Sequence, residues 1–396
     1  MQNKILEIQN LLKKFDFDAW LVYDFRKANI FAQKVVEIPS NCNQSRRFYY
    51  LIPKNGEPKK LVHSIEQWNL DHLPGEKLTY NSWKTLNDGL KNLLQNVKTV
   101  AMEYSPMNAI PYVAKVDAGT IELINSVGVK VVTSADLVQH IEACWSSEQS
   151  IDQFESAKML RETVDIAFNF IGDELNKGNR ITEYDVQQEM MKNFIKHNHI
   201  TYAEPNCSIN ANGANPHYEP TKEINSEIKK GDYVLIDLWA KKNKPKSTYA
   251  DITWVAYVGS EIPKKYLEVF NVVKGGRDAA IKFIQDEFEK GNKVSGCDVD
   301  DAARKYITEK EYGEYFVHRT GHSIGEEVHG NGANIDNFET NDKRELIPNT
   351  CFSIEPGVYL PNEFGIRLEV NVFISNEKKV IIPGQPIQNE IVLIKV

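Results

Sequence analysis

Four acidic residues stand where apolar sequence predicts burial, and such groups are rarely buried without a partner. The first is Asp237, which interrupts the run Tyr233-Val-Leu-Ile in GDYVLIDLWA. The second, Asp251, opens the apolar stretch of TYADITWVAYVG, after the turn KKNKPK at 241–246. Two antiparallel strands joined by that turn bring both carboxylates to one place. The segment VHRTGHSIGEEVHG sets His318, His322 and His329 among Gly321, Gly325 and Gly330, and glycine lets backbone approach a site closely. It is not the helical zinc motif H-E-x-x-H, because Arg319 stands at the glutamate position and Gly321 breaks the helix. In CFSIEPGVYL, Glu355 ends an apolar strand ahead of a Pro356-Gly357 turn. In FGIRLEVNVFI the alternation predicts one strand, with Ile366, Leu368, Val370 and Val372 on one face and Arg367, Glu369 and Asn371 on the other.

Taken singly, each of these residues has a plainer reading. A strand-end aspartate reaches water, a histidine settles in a core, and Arg367 beside Glu369 makes an internal ion pair. Together they pose a charge problem. Asp237, Asp251, Glu355 and Glu369 bring four negative charges to a shared pocket, with His322 as a neutral nitrogen donor. One divalent cation leaves two of those charges unbalanced, whereas two cations balance all four. A carboxylate-rich set with one imidazole suits Mn²⁺, Co²⁺, Fe²⁺ or Zn²⁺ and disfavours thiolate-preferring metals. Such a pair lowers the pKa of a shared water toward about 7, supplying a nucleophile at neutral pH without any serine or cysteine.

Positioning these groups takes rigid elements, and the pattern contains two kinds of domain. Residues 19–23, 47–52, 59–65, 98–104 and 129–133 read as strands. Lys84 to Gln95 reads as an amphipathic helix with Leu86, Leu90, Leu93 and Leu94 on one side. This predicts an α/β domain over 1–145, and the absence of G-x-G-x-x-G or a P-loop leaves no nucleotide site indicated. Near 141–147 the character changes. Ser146 or Ser147 caps a long helix, followed by a helix at 182–198 and strands at 231–240 and 249–258. Helices at 264–289 and 297–310 come next, then strands toward the C-terminus, an α+β order over 146–396. A length of 396 residues also leads one to expect two domains. The lysines at 241–246 read as a solvated turn.

With 41% hydrophobic and 26% charged residues this is an ordinary globular composition, and the net charge of -8 argues against a nucleic-acid-binding surface. The five cysteines are scattered with no C-x-x-C pair, so a reducing compartment fits best. The opening MQNKILEIQNLLKKFDFD lacks a signal peptide's apolar run, and no stretch of membrane-spanning length follows. A cytoplasmic protein without a membrane partner is expected.

The order of NPHYEP, DLWA, YADITW, HRTGHSIGEEVH, SIEPGVY and GIRLEV over roughly 147–396 resembles the pita-bread metallopeptidase superfamily of methionine aminopeptidase, prolidase, aminopeptidase P and creatinase. The α/β portion before it is similar to the N-terminal domain of prolidases, aminopeptidases P and creatinases. The resemblance therefore implies an α/β N-terminal domain followed by an α+β pita-bread catalytic domain, with Xaa-Pro peptidase activity. It implies that Asp237 chelates one metal, that Asp251 and Glu369 bridge two, and that His322 and Glu355 hold the other. Glu355 also shuttles protons, His217 polarises the scissile carbonyl, and His329 stabilises the tetrahedral intermediate. His318 and Arg367 hold proline-containing substrates. Two divalent ions are implied, Mn²⁺ ahead of Co²⁺, Zn²⁺ or Fe²⁺, together with a small peptide substrate and a homodimer.

Three features depart from that pattern. The Asp237–Asp251 turn is longer than usual, a change that loops accommodate at small cost. Trp239 stands where a small residue is frequent; it shares Asp237's face, narrows the pocket and contacts substrate. Val370 follows Glu369 where an acid is common, which alters the support behind that ligand. Two further readings are a metal-dependent hydrolase or lyase acting on a non-peptide metabolite, and a catalytically silent binding scaffold.

Overall fold

A computed structural model describes residues 2–39 and 42–396. The chain divides into two compact units, Met1–Glu142 and Ala143–Val396.

In the first unit the described residues form a six-stranded sheet in the order Glu76–Tyr80, Lys59–His63, Phe48–Pro53, Ala19–Asp24, Thr99–Met102, Lys130–Thr133. Ala19–Asp24 is antiparallel to Phe48–Pro53 and parallel to Thr99–Met102. Alternate residues of the central strands are buried on opposite faces. Trp20, Val22, Tyr50 and Ile52 pack with Ile8 and Leu12 of the Gln2–Lys14 helix, and with Phe31 and Val35 of the Ile30–Val36 helix. Leu21, Leu51 and Leu61 pack with Leu86, Leu90 and Leu93 of the Trp83–Leu93 helix. Strands buried on both faces read as unbroken apolar runs, which is why they are legible in the sequence. The edge strand Glu76–Tyr80 is not, because its residues are mostly exposed and polar.

The second unit begins where Ser146 caps the helix Ser147–Asn176, its side chain and that of Gln149 closing a reciprocal capping box. Val164, Ala167, Phe168 and Ile171 of this helix pack with Val186, Met190 and Phe194 of Glu183–Lys196 and with the strands beneath. Those strands are Tyr233–Lys242 and Ala250–Val258, antiparallel, flanked by Val392–Ile394 on one side and by His199–Ile200 and Asn206–Ile209 on the other. The helices Lys264–Glu289 and Gly296–Glu309 pack together through Ile281, Ile284, Val299 and Ala303. A second sheet contains Ser323–Ile324, Cys351–Ile354, Val370–Ile374 and Val380–Ile381, and Gly357–Leu360 pairs separately with Phe364–Arg367.

Two expectations need correction. The stretch 364–374 is not one strand: Phe364–Arg367 pairs with Gly357–Leu360, and Val370–Ile374 pairs with Cys351–Ile354. The chain passes between two sheets at Leu368-Glu369 and is buried throughout, so apolar alternation cannot register the break. The lysine turn is not simply solvated either. Lys244 pairs with Glu148 and Asp152, and Lys242 with Asp152 and Glu155, all on the Ser147–Asn176 helix.

Candidate metal centre

The Tyr233–Lys242 and Ala250–Val258 strands carry the two aspartates. In their register Asp237 lies opposite Thr253, and Asp251 lies opposite Trp239. The carboxylates are thus diagonal neighbours on one face, within the roughly 7–8 Å that such pairs span. The Thr253 hydroxyl ties the cluster together. It stands 3.1 Å from Asp237 Oδ1 and 2.9 Å from Glu369 Oε2, and it accepts from Arg367 Nε at 3.1 Å. Arg367 also pairs with Asp237 through Nη2, and its Nη1 donates to the Tyr359 hydroxyl at 3.2 Å.

His322 is placed by close backbone contact. A Cβ on Gly321 would lie 2.0 Å from the Ser353 carbonyl oxygen, so this step tolerates glycine alone. The next residue then locks on. His322 N–H donates to Ser353 Oγ at 2.9 Å, and Ser353 N–H returns to His322 carbonyl at 2.8 Å. The imidazole Nδ1 lies 3.1 Å from the Ser323 carbonyl, which fixes the proton on that nitrogen. Nε2 is left with its lone pair, 3.3 Å from Glu355 Oε1 and 3.7 Å from Asp251 Oδ2. A lone pair facing two carboxylates is repelled unless a cation lies between them. Burial, reinforced by the Arg319 guanidinium, pulls the His322 pKa down to about 3, so the ring is a neutral donor at ordinary pH.

The acids show the same need. Asp251 and Glu369 are almost fully buried, and among the described residues Asp251 Oδ1 and Glu369 Oε1 have no hydrogen-bond partner. Burial first, and the neighbouring carboxylates second, push both well above the usual carboxylate range. Ligating atoms of Asp251, His322 and Glu369 all lie within 4.8 Å of one another. Orphaned acceptors, an imidazole lone pair and oxygen-rich donors on one spot fit a divalent transition metal. Asp237 lies beyond Thr253 on one side of this trio, and Glu355 beside His322 on the other.

The cluster opens onto a cleft of about 310 Å³ whose lining includes His217, Trp239, His318, His329 and Arg367. His329 is exposed, with its ring 4.4 Å from that of His322 and nearly perpendicular to it. His217 is exposed on the loop after Asn206–Ile209. His318 lines the cleft with both nitrogens engaged, Nδ1 at the Arg319 carbonyl and Nε2 at the Tyr359 hydroxyl, at 2.7 and 2.8 Å. Trp239 stacks on Tyr202, ring centroids 5.9 Å apart, and its buried indole N–H has no partner among the described residues. The structure therefore gathers all ten expected residues at one cleft. Sequence reasoning passed over Thr253, Ser353, Tyr359 and Tyr202. The first two were within reach, since each lies two positions along a strand from an acid already singled out.

Residues 142–376 match the family model for metallopeptidase family M24. Among curated proteins, the chain is 31% identical over 204 residues to a protein of Mycoplasma genitalium provisionally named an Xaa-Pro aminopeptidase, covering 51% of this chain and 53% of that one. It is 28% identical over 235 residues to an Xaa-Pro dipeptidase of Lactobacillus delbrueckii subsp. lactis, covering 59% and 58%. The chain thus spans about half the length of the curated relatives it matches. Among solved structures, dipeptidase PepE of Mycobacterium ulcerans superposes with a TM-score of 0.68 at 18% identity, covering 100% of this chain and 98% of that one. That likeness establishes the fold as an α/β N-terminal domain followed by an α+β pita-bread domain. The family model covers more than half of the chain and spans all five clustered donors, and on that footing the chain belongs to metallopeptidase family M24.

Proposed function

We propose that this chain is a metal-dependent Xaa-Pro peptidase, an aminopeptidase or dipeptidase that hydrolyses the bond preceding proline. The observation carrying this reading is the buried trio Asp251, His322 and Glu369, with two orphaned carboxylate oxygens at a cleft of peptide size. Family membership and the relatives named above support it. Asp237, Asp251, His322, Glu355 and Glu369 would hold two divalent ions, Mn²⁺ first, with Co²⁺, Zn²⁺ or Fe²⁺ as alternatives. When bound, such ions supply Lewis acidity and an acidified water.

The chain's own residues would do the rest. Glu355 Oε1, 3.0 Å from Ser353 Oγ, accepts the proton of the attacking water and returns one to the leaving nitrogen. His217 approaches the scissile carbonyl from its exposed loop, and His329 faces the developing oxyanion. Trp239, His318 and Arg367 form the substrate wall. Because Arg367 and His318 already spend hydrogen bonds on Asp237 and Tyr359, they act as a rigid surface rather than mobile clamps.

A domain division at 145/146, a homodimer and a cytoplasmic setting belong to the same proposal. Trp68 and Trp83 are exposed apolar side chains of the kind a dimer covers, and five scattered cysteines with no C-x-x-C pair suit a reducing compartment. One observation favours a second reading. Trp239 sits across from Asp251 in the strand register and lines the cleft, and a bulky indole there would suit a compact, non-peptide metabolite. Assaying metal-loaded protein on Xaa-Pro dipeptides, Xaa-Pro-Xaa peptides and a metabolite panel separates the two. Turnover confined to the metabolites would sink the peptidase reading.

A further inference from the structure

Asp251 and Glu369 must stand side by side, yet they belong to different sheets. Asp251 lies in the Ala250–Val258 strand, while Glu369 immediately precedes Val370–Ile374 of the second sheet. No strand ladder therefore sets their spacing, and their like charges push them apart. The seam between the sheets is closed by a side chain instead. Asn371 is fully buried, and its Oδ1 accepts from the Asp251 backbone N–H at 3.0 Å. Its Nδ2 donates to the carbonyl of the same residue at 2.5 Å. The amide thus offers Asp251 what a neighbouring strand residue would offer, one acceptor and one donor. Its orientation is fixed, because a backbone N–H only donates and a carbonyl only accepts.

The pincer is itself braced. Gln153 of the Ser147–Asn176 helix, also fully buried, donates through Nε2 to Asn371 Oδ1 at 2.7 Å. Asn371 follows Glu369 by two residues on the same short segment, so one amide holds both acids in register. The backbone tie at this point is weak, Glu369 N–H to the Thr253 carbonyl at 3.3 Å, and the Thr253 hydroxyl adds a side-chain bond to Glu369 Oε2 at 2.9 Å.

We propose that Asn371 is the positioning residue that holds Asp251 and Glu369 close enough to share a metal site, and that Gln153 couples this spacing to the helix behind the sheet. The inference rests on reading the cluster as a metal centre. It assigns to Asn371 the support that an acid after Glu369 would otherwise give, since Val370 stands there.

The test is calorimetric titration of chelator-stripped full-length protein with Mn²⁺, with the melting temperature of the stripped form recorded alongside. N371A should bind Mn²⁺ about 10- to 100-fold more weakly than wild type. Q153L, which leaves both bonds to Asp251 in place, should lose about three- to tenfold. The double variant should bind no more weakly than N371A, because the brace acts only through the pincer. A purely structural role would lower the melting temperature of the stripped variants and leave their Mn²⁺ affinity unchanged. Affinities within about twofold of wild type in both variants overturn the proposal, and Q153L alone decides if N371A does not fold. Wild-type protein that takes up no Mn²⁺, Zn²⁺ or Co²⁺ would overturn the metal reading itself, a distinct result.

Discussion

Burying two carboxylates beside each other is a cost that a cation bound between them would offset. Among the described residues Asp251 Oδ1 and Glu369 Oε1 have no hydrogen-bond partner, while Arg367 pairs with Asp237 and the Thr253 hydroxyl is shared between Asp237 and the other oxygen of Glu369. Replacing Asp251 with Asn removes one of the two opposing charges. In metal-stripped protein D251N should therefore melt higher, by about 2–4 °C for about 1 kcal/mol, while its metal affinity falls more than about 100-fold. Thermal melts with and without Mn²⁺ check both halves. Trp239 invites a similar experiment. Its buried indole N–H has no partner among the described residues, and such a donor costs about 1–3 kcal/mol. W239F should be neutral or stabilising by up to about 1 kcal/mol in urea unfolding, and a loss above about 2 kcal/mol would show that the N–H has a partner after all. Of these residues, the acids and histidines were legible because charge interrupting an apolar run is conspicuous. Thr253 and Ser353 were within reach only through strand spacing from Asp251 and Glu355, since a hydroxyl in a strand attracts no notice by itself.

Between the strands, the elements themselves differ in how far the sequence discloses them. The two aspartates could be paired from a hairpin with alternating burial, and the register confirms that both face one side. The 364–374 stretch misled, because a segment buried on both faces alternates identically whether it stays in one sheet or crosses to another. The loop carrying His217 is held by a residue no pattern pointed to. Glu183, fully buried at the start of its helix, accepts from Ile209 N–H and Ser226 N–H, both at 2.7 Å, from Asn212 Nδ2 at 2.9 Å, and from the Tyr218 hydroxyl at 2.5 Å. E183A strands those donors and should cost about 3 kcal/mol in urea unfolding, with the substrate KM rising as His217 loses its anchor. A loss below about 1 kcal/mol would mean the loop is fixed by other contacts.

At the scale of the whole molecule, each unit carries its own cores and its own response to pH. In the first unit Asp18 accepts from Lys98 N–H and Thr99 N–H, each at 3.0 Å, and pairs with Lys54 at 3.0 Å. The bond from Lys54 is the main influence that draws its pKa down from 3.8 to about 2. A depressed carboxylate stabilises the fold above its unfolded pKa, and that contribution disappears as pH falls through the folded value. The stability gap between wild type and D18N, about 1 kcal/mol after allowing for partial exposure, should hold from pH 7 to about 5 and close between about 4 and 2. Urea melts across that range check it, and a gap independent of pH would contradict it. The second unit's stability should instead follow metal, since the donors all lie there. Two domains and the pita-bread order of motifs could be read from the sequence, whereas the way two sheets meet at Asp251 and Glu369 could not. The most direct test of the account is proline release from Xaa-Pro dipeptides by chelator-stripped protein as Mn²⁺ is added back. Proline release that appears only with metal, saturates at two equivalents and is lost in D251N is the predicted result. Fully metal-loaded wild type that releases no proline from any Xaa-Pro dipeptide or Xaa-Pro-Xaa peptide would contradict it.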